Sequence, residues 1–99
     1  LVNVFCQAYK NPELSKQDIG VPYITTVENT VHPHYDRGNV ADVYDSIRVD
    51  LEAGLADISD INYSKPKWHF NVNAAHAFAA RFYLFTRDYD KVIEHADAV

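Results

Sequence analysis

The strongest helix pattern in the chain runs through Arg37-Gly-Asn-Val-Ala-Asp-Val-Tyr-Asp-Ser-Ile-Arg-Val-Asp-Leu-Glu-Ala-Gly-Leu55. Its apolar residues recur mostly three or four positions apart, and they are Val40, Val43, Tyr44, Ile47, Leu51, Leu55 and Ile58. Asn39 is a favourable N-cap, and Asp42, three residues on, resembles the acid of a capping box. Asp42 and Asp45 place negative charge where the helix dipole favours it. The pattern predicts an amphipathic helix over residues 40–58 that needs packing partners.

Composition limits the classes of protein to which the chain can belong. Its 99 residues are enough for one modest domain. A hydrophobic fraction of 47% and an aromatic fraction of 13% are typical of a chain that folds. The net charge of -5 argues against a nucleic-acid surface, which is normally basic. No apolar run approaches the roughly 18 residues that a membrane-spanning helix needs.

Both ends of the sequence lack the usual start and stop signals. There is no methionine, and the first residues begin a helical pattern without a preceding cap. We therefore expect an internal piece of a longer protein, with any signal peptide or membrane anchor upstream. Cys6 is the only cysteine, so no internal disulfide is possible. Bulky Phe5 before it argues against a lipidated cysteine. We therefore expect Cys6 to be a buried thiol within a helix.

The whole pattern predicts an all-α fold. The expected helices lie at residues 1–10, 40–58, 72–86 and 89–99, and the loops at residues 11–38 and 59–71. Asn11-Pro12 ends the first helix. The third helix is rich in alanine and apolar on nearly every side, so we expect it to be central and contacted on several sides. A short link with Asp88 as the N-cap makes the third and fourth helices an antiparallel hairpin.

This hairpin resembles a tetratricopeptide repeat. That repeat has a small residue late in its first helix, an aromatic residue three positions later, a short turn, and small or apolar residues spaced by four and three in its second helix. The matching positions are Ala80, Tyr83, Asp88-Tyr89, Val92, Ala96 and Val99. Val92 departs from the pattern, because alanine is usual there.

A longer series of motifs resembles one family in particular. The motifs are Gly20-Val-Pro22, Arg37, Val40-Ala-Asp-Val-Tyr-Asp-Ser-Ile47, Asp50-Leu-Glu-Ala53, Ala74-Ala75, Ala79-Ala-Arg-Phe-Tyr-Leu84 and the Arg87-Asp-Tyr-Asp90 turn. In this order and at these separations the chain resembles the SusD/RagB family of bacterial outer-membrane lipoproteins. The resemblance implies an α–α superhelix built on tetratricopeptide-like helix pairs, of which these 99 residues would be a single fragment.

The resemblance also implies a function. Members of this family bind glycans or other nutrients at the cell surface and deliver them to a SusC-like TonB-dependent transporter, without bond chemistry or a cofactor. The membrane would be reached through a lipid anchor upstream of this piece. Because the matched motifs belong to the scaffold, the resemblance transfers no binding residue, and Arg37, Asp50 and Arg81 are expected to hold helix ends and neighbouring segments.

Binding residues are therefore expected in the loops, whose aromatic residues are Tyr23, Tyr35, Tyr63 and Trp68. Sugars stack their apolar faces on aromatic rings, while nearby polar groups bind the hydroxyls. Trp68, flanked by two lysines and a histidine, is the first ligand-binding candidate. Its size alone, however, favours burial as a cap on the core of the third helix. Tyr35 and His34, beside Asp36, form the second candidate.

Two other hypotheses stay open. A tetratricopeptide scaffold that binds a peptide in a helix groove would contain the same hairpin. A hydrolase would have to use His32, His34 and Asp36, but such a loop supplies at most three ligands to a metal, so we expect it to be solvated. No catalytic motif is recognisable, so no catalytic or metal residue is predicted. His76 is expected at the edge of the core and His95 on the surface.

Overall fold

A computed structural model describes residues 1–31 and 33–99, and the chain is helical in these ranges. The elements in order are α1 (Val2–Phe5), a 3₁₀ turn (Leu14–Gln17), α2 (Val40–Asp57), a second 3₁₀ turn (Pro66–Trp68), α3 (Val72–Phe85) and α4 (Tyr89–Asp97). The predicted all-α class is confirmed. None of the helices in the described ranges is both long and apolar enough to cross a bilayer.

The chain forms two compact units, Leu1–Ile47 and Arg48–Val99, and the first contains the start of α2. Asn39 caps α2 as predicted, because its Oδ1 accepts a hydrogen bond from the Asp42 amide at 2.9 Å. The Asp42 carboxylate accepts in return from the Asn39 side-chain amide at 2.9 Å. The reciprocal contact of the capping box is therefore present, but it uses the side chain of Asn39 in place of its backbone amide.

A single antiparallel bridge between Ile19 and Asn39 ties the long loop to this cap. The Gly20 amide donates to the Gly38 carbonyl at 3.2 Å. The Val40 amide, which has no partner within its own helix, donates to the Asp18 carbonyl at 2.9 Å. Arg37 Nε donates to the Gly20 carbonyl at 2.9 Å, which confirms the expected role of this arginine. The two motifs around Gly20 and Arg37, which are separate in the sequence, are thus joined by hydrogen bonds.

Helix α1 is shorter than predicted. It ends at Phe5, and the expectation that it reaches residue 10 is wrong. Two of its four residues are valines, whose β-branching lowers helix propensity, and one turn has little cooperative stability. The backbone beyond it finds other partners. The Lys10 amide donates to Ser15 Oγ at 3.0 Å, and Ser15 is fully buried.

Cys6 lies at the end of α1 and not within it. Its backbone is extended, with φ -115° and ψ 169°, and its side chain is half-buried. It lines a cavity of about 470 Å³ together with Ile19 and Arg37. The prediction of a buried helical thiol is therefore wrong, because the helix stops before this residue.

In the second unit, α3 and α4 pack against each other as the predicted hairpin. Asn71 caps α3 by accepting from the Ala74 amide at 2.8 Å, and Asp88 caps α4 by accepting from the Lys91 amide at 3.4 Å. The Asp88 amide donates back to the Tyr83 carbonyl at 3.0 Å, and Arg87 between them has a left-handed φ of 62°. This is a Schellman motif in which arginine occupies the position that glycine usually takes.

Helix α3 is buried on one face and not on several sides as predicted. The buried residues are Ala75, Ala79, Phe82 and Tyr83. Phe78, Leu84 and Phe85 are 49%, 53% and 42% exposed. Ala75 and Ala79 have small side chains. The rings of Phe82 and Tyr83 fill the rest of this buried face. Apolar composition on every side therefore does not produce contact on every side.

Helix α4 turns a histidine inward. His95 is 6% exposed, so its predicted surface position is wrong. The residues of α4 that match the repeat pattern are more open, since Val92 is half-buried and Ala96 and Val99 are exposed. His95 lies parallel to the ring of Tyr83, with centroids 5.5 Å apart. The aromatic partner on α3 explains why an imidazole, and not an alanine, occupies the interface.

Substituting Ala79→Leu tests the buried face of α3. Ala79 is 0% exposed, so three additional carbons should overpack the face and lower the free energy of unfolding by about 1–3 kcal/mol. Denaturant unfolding of the variant gives this value. Ala77→Leu is the matched control, because Ala77 is exposed on the same helix and the change should stay within about 0.5 kcal/mol. Equal stability of the two variants would contradict the buried position.

Candidate functional site

The link between α2 and α3 in the second unit carries the first candidate, Trp68. Two of its residues, Asp60 near one end and Pro66 in the middle, are hydrogen-bonded to the start of α3. Asp60 Oδ1 accepts from the Val72 amide at 3.0 Å, and the Asn71 side-chain amide donates to the Pro66 carbonyl at 3.2 Å. Residues Pro66–Trp68 form a 3₁₀ turn, in which the Trp68 amide donates to the Lys65 carbonyl at 3.1 Å. The link is therefore a hydrogen-bonded scaffold for the side chains that it carries.

Trp68 projects from this scaffold into solvent. Its exposed fraction is 82%, which overturns the expectation that it caps the core of α3. The link turns Tyr63 and Pro66 inward, where both are half-buried, and the three-residue turn leaves the indole outside. The expectation that a residue as large as tryptophan is buried fails here for two reasons. The buried face of α3 is formed by residues of that helix. In the link, the direction of a short turn decides which side chains point inward.

A stacked ring pair stands in the same link. Tyr63 and His69 lie face to face with centroids 4.4 Å apart and an interplanar angle of 5°. The stack joins the two sides of the turn that presents Trp68, and it restricts their movement. Lys65 and Lys67 are exposed on the same turn and carry hydrogen-bond donors. An exposed indole, a restrained backbone and adjacent donors are the components of a stacking platform for a sugar ring.

An apolar groove of about 320 Å³ opens in the same unit. It is lined by residues of α2, the link and α3, among them Leu51, Leu55, Ile58, Phe70 and Phe78. Sequence reasoning missed Phe70, which is 58% exposed. A signal for it existed, because Phe70 directly precedes the N-cap Asn71 and pairs with Ala75 in the positions of a hydrophobic staple.

The second candidate pair, Tyr35 and His34, lies in the first unit. His34 is exposed, and Tyr35 is 38% exposed. Partial burial of the phenol, followed by the neighbouring Glu28 carboxylate, raises the pKa of Tyr35, so the ring is a neutral hydrogen-bonding and stacking group. His32, on which the metal and hydrolase hypotheses depend, lies outside the described residues. Tyr35 and Trp68 belong to different units, and each is a separate candidate.

The acidic residues of α2 form a hydrated face. Asp42, Asp45, Asp50 and Glu52 are all exposed. Glu52 has an additional role, because its Oε1 accepts a hydrogen bond from the buried Tyr83 hydroxyl of α3. Burial, then this hydrogen bond and the Glu52 charge, raise the pKa of Tyr83. Glu52 and Tyr83 therefore join α2 to α3, and their hydrogen bond is a structural contact.

Comparison with known families supplies an independent finding. Residues 1–84 match the family model SusD-like_3, which is described as starch-binding and associating with the outer membrane. No curated protein and no solved structure matches the chain. The matched region contains the link that carries Trp68, the pair His34 and Tyr35, and α3 up to Leu84.

Proposed function

The chain belongs to the SusD-like family of starch-binding proteins that associate with the outer membrane, and on this premise we propose that residues 59–71 bind an oligosaccharide. The ligand is captured at the bacterial cell surface and delivered to a SusC-like TonB-dependent transporter. The protein binds the glycan without breaking a bond, as expected in a family of binding proteins. Trp68 is the principal contact, and Tyr35 with His34 is a second, separate contact.

The exposure of Trp68 is the observation that carries this proposal. An indole that is 82% exposed contributes almost nothing to the stability of the fold. Stacking a pyranose ring on it removes apolar area from water on both partners, which is favourable in proportion to the area. Phe70, two residues on and 58% exposed, extends the apolar surface of the link. Aromatic residues gathered in one exposed segment are typical of a binding surface.

The groups around Trp68 fit the polar half of a sugar. Hydroxyls of a glucan need donors and acceptors at the rim of the stacked ring. Lys65 and Lys67 supply donors on the same turn, and the stacked pair Tyr63 and His69 restrains the loop before the ligand arrives. A restrained loop loses less conformational entropy on binding, which favours affinity.

Trp68→Ala tests the proposal. We expect the dissociation constant for maltoheptaose, a soluble starch fragment, to rise about tenfold or more, which corresponds to about 1.4 kcal/mol. The melting temperature should be unchanged, because the ring is not part of the core. Isothermal titration calorimetry and thermal unfolding of the same preparation measure both quantities.

Tyr89→Ala is the matched control for this experiment. Tyr89 is also a largely exposed aromatic residue, at 59%, but it lies at the start of α4 outside the link. Its removal should leave maltoheptaose affinity unchanged. Equal losses of affinity in the two variants, or unchanged affinity in Trp68→Ala, would contradict the assignment of the link. Loss of the folded state in Trp68→Ala would contradict the exposed position of the ring.

Attachment to the membrane and the transporter partner are further parts of the proposal. We infer a lipid anchor in the part of the protein upstream of residue 1, and a SusC-like transporter as the partner. Family membership supports both inferences. Outer-membrane fractions that contain the protein without any lipid modification would contradict the anchor. If the protein is purified from the membrane in mild detergent and no TonB-dependent transporter is purified with it, the inferred partner would be contradicted.

One observation favours a second candidate function. The apolar groove lined by Leu51, Leu55 and Phe78 is suited to an apolar helix face, as in a peptide-binding tetratricopeptide scaffold. A Phe78→Ser variant separates the two functions. Glycan binding through the link should survive this substitution, whereas peptide binding in the groove should be lost.

A further inference from the structure

The link that carries Trp68 differs in charge from the rest of the chain. Residues 61–71 contain two lysines and neither aspartate nor glutamate, whereas the chain as a whole has a net charge of -5. Both lysines, Lys65 and Lys67, are exposed. The segment that presents the indole to solvent is therefore a cationic segment of an acidic protein.

The 3₁₀ turn brings one lysine to the same side as the indole. Lys65 precedes the turn and Trp68 closes it, with the Trp68 amide donating to the Lys65 carbonyl at 3.1 Å. Side chains three residues apart in such a turn lie one above the other. Lys67 directly precedes Trp68 in the same turn. A sugar stacked on the indole is therefore within reach of two flexible cationic side chains.

Neither lysine is neutralised by a carboxylate of the protein. On α4, by contrast, Lys91 forms an ion pair with Glu94 at 3.2 Å. In the part of the chain that the structure describes, Lys65 and Lys67 form no such pair. Water solvates these two charges but does not neutralise them, so they attract an anionic ligand.

The carboxylate closest to these lysines in the sequence, that of Asp60, is engaged at the start of α3. Its Oδ1 accepts a hydrogen bond from the amide of Val72, the first residue of this helix, at 3.0 Å. The N-terminal end of a helix attracts negative charge, which stabilises the carboxylate in this position. Asp60 is therefore a partner of α3 and not of either lysine.

We propose that the Trp68 link binds an anionic glycan, whose rings stack on the indole while its carboxylates or sulfate esters pair with Lys65 and Lys67. This inference rests on the proposed function, because it specifies the class of oligosaccharide that the same link takes. Stacking removes apolar area from water whether or not the sugar carries a charge. The lysines add an electrostatic attraction that a neutral glycan does not receive.

The size of this preference follows from the exposure of the two lysines. One exposed ion pair changes an equilibrium constant by at most about fivefold, so two pairs should favour the anionic glycan by about tenfold. Salt screens such charges, because the Debye length falls from about 10 Å at 0.1 M to about 3 Å at 1 M. The preference should therefore be present at low salt and absent at about 1 M salt.

Pairs of glycans that differ only in charge test the proposal. Hexagalacturonate and its methyl ester have the same rings with and without carboxylates. A sulfated carrageenan hexasaccharide and its desulfated form make the same comparison for sulfate esters. Isothermal titration calorimetry of the full chain at low salt should give a dissociation constant about tenfold lower for the anionic member of at least one pair, and the pair that responds identifies the anionic group. Equal affinities within both pairs would overturn the proposal.

Substituting both lysines by glutamine tests their role. Lys65→Gln together with Lys67→Gln removes the charges and keeps a hydrogen-bond donor at each position. Affinity for the anionic glycan should fall about tenfold, and affinity for its neutral counterpart should not change. Lys16→Gln is the matched control, because Lys16 is an exposed lysine on the other 3₁₀ turn, in the first unit. A double variant that keeps the preference, or a control that loses it equally, would overturn the proposal.

Trp68→Ala separates this inference from the proposed function on which it rests. The variant should weaken binding of both members of a glycan pair by the same factor, because the rings of both stack on the indole. Unchanged affinity for both members would overturn the proposed function and this inference with it. If Trp68→Ala weakens both while the double lysine variant changes neither, the proposed function stands and only the preference for anionic glycans is overturned.

Discussion

Tyr83→Ala is expected to lower the free energy of unfolding of the chain by about 3–5 kcal/mol. The ring is 3% exposed and contacts His95 face to face and Phe82 edge to face at 5.2 Å. Truncation removes both ring contacts, leaves a cavity on the buried face of α3 and deprives Glu52 of its hydrogen-bond donor. Chemical denaturation followed by circular dichroism measures the loss.

Tyr83→Phe separates the hydroxyl from the ring. Phenylalanine keeps the stacking and loses only the hydrogen bond to Glu52, so we expect a loss of about 1–2 kcal/mol. If both variants lose the same stability, the ring contacts contribute nothing and the buried position of Tyr83 is contradicted. A parent chain no more stable than Tyr83→Phe would show that the hydroxyl contact is absent in solution.

The raised pKa of Tyr83 adds a dependence on pH. Burial and the Glu52 hydrogen bond raise this pKa in the folded chain, whereas the unfolded chain releases the phenolic proton near pH 10. The folded state therefore binds more protons above that pH, and stability should fall as the pH rises past about 10. The Tyr83→Phe variant should lack this contribution to the fall.

Gly20→Ala is expected to lower the free energy of unfolding by about 3 kcal/mol, at the upper end of overpacking effects. A Cβ atom at this position would lie 2.7 Å from the Asn39 carbonyl oxygen and 2.9 Å from Val43 Cγ2. The nearer contact is backbone, which cannot rotate away. Relief requires residues 18–20 to move away from α2, which breaks the hydrogen bonds on either side of the Ile19–Asn39 bridge.

Gly54→Ala is the matched control for Gly20→Ala. Gly54 lies within α2, and a Cβ there meets no atom within 4 Å. Alanine in the interior of a helix is favoured over glycine by about 0.5–1 kcal/mol, so this variant should be more stable than the parent chain. The same substitution thus has opposite signs at two positions. A neutral Gly20→Ala would contradict the close contact between the loop and the cap of α2.

Much of the fold follows from local chemistry that is legible in the sequence. The spacing of apolar residues from Val40 onward places α2, and the side chains of Asn39, Asn71 and Asp88 mark where helices begin because each accepts a backbone hydrogen bond. The family motifs around Gly20 and Arg37 are likewise recognisable from their residues alone. The contact between them is not, because 17 residues separate Gly20 and Arg37 along the chain.

The candidate site was only partly predictable. Composition and family resemblance pointed to loop aromatics, and Trp68 was among them. Its exposure followed from the direction of a three-residue 3₁₀ turn, which no periodicity encodes. Phe70 became visible as part of an apolar surface only when the link was placed beside α2 and α3.

Helix periods, caps and family membership were thus determined by the sequence itself, because each depends on residues that are neighbours in the chain or lie one turn apart. Burial was decided by the tertiary structure. Cys6 is only half-buried and His95 is enclosed, both against expectation. Side-chain burial depends on which helix face meets which neighbour, and that choice minimises exposed apolar area over the whole fold at once. A histidine in the α3–α4 contact is the clearest result of that choice.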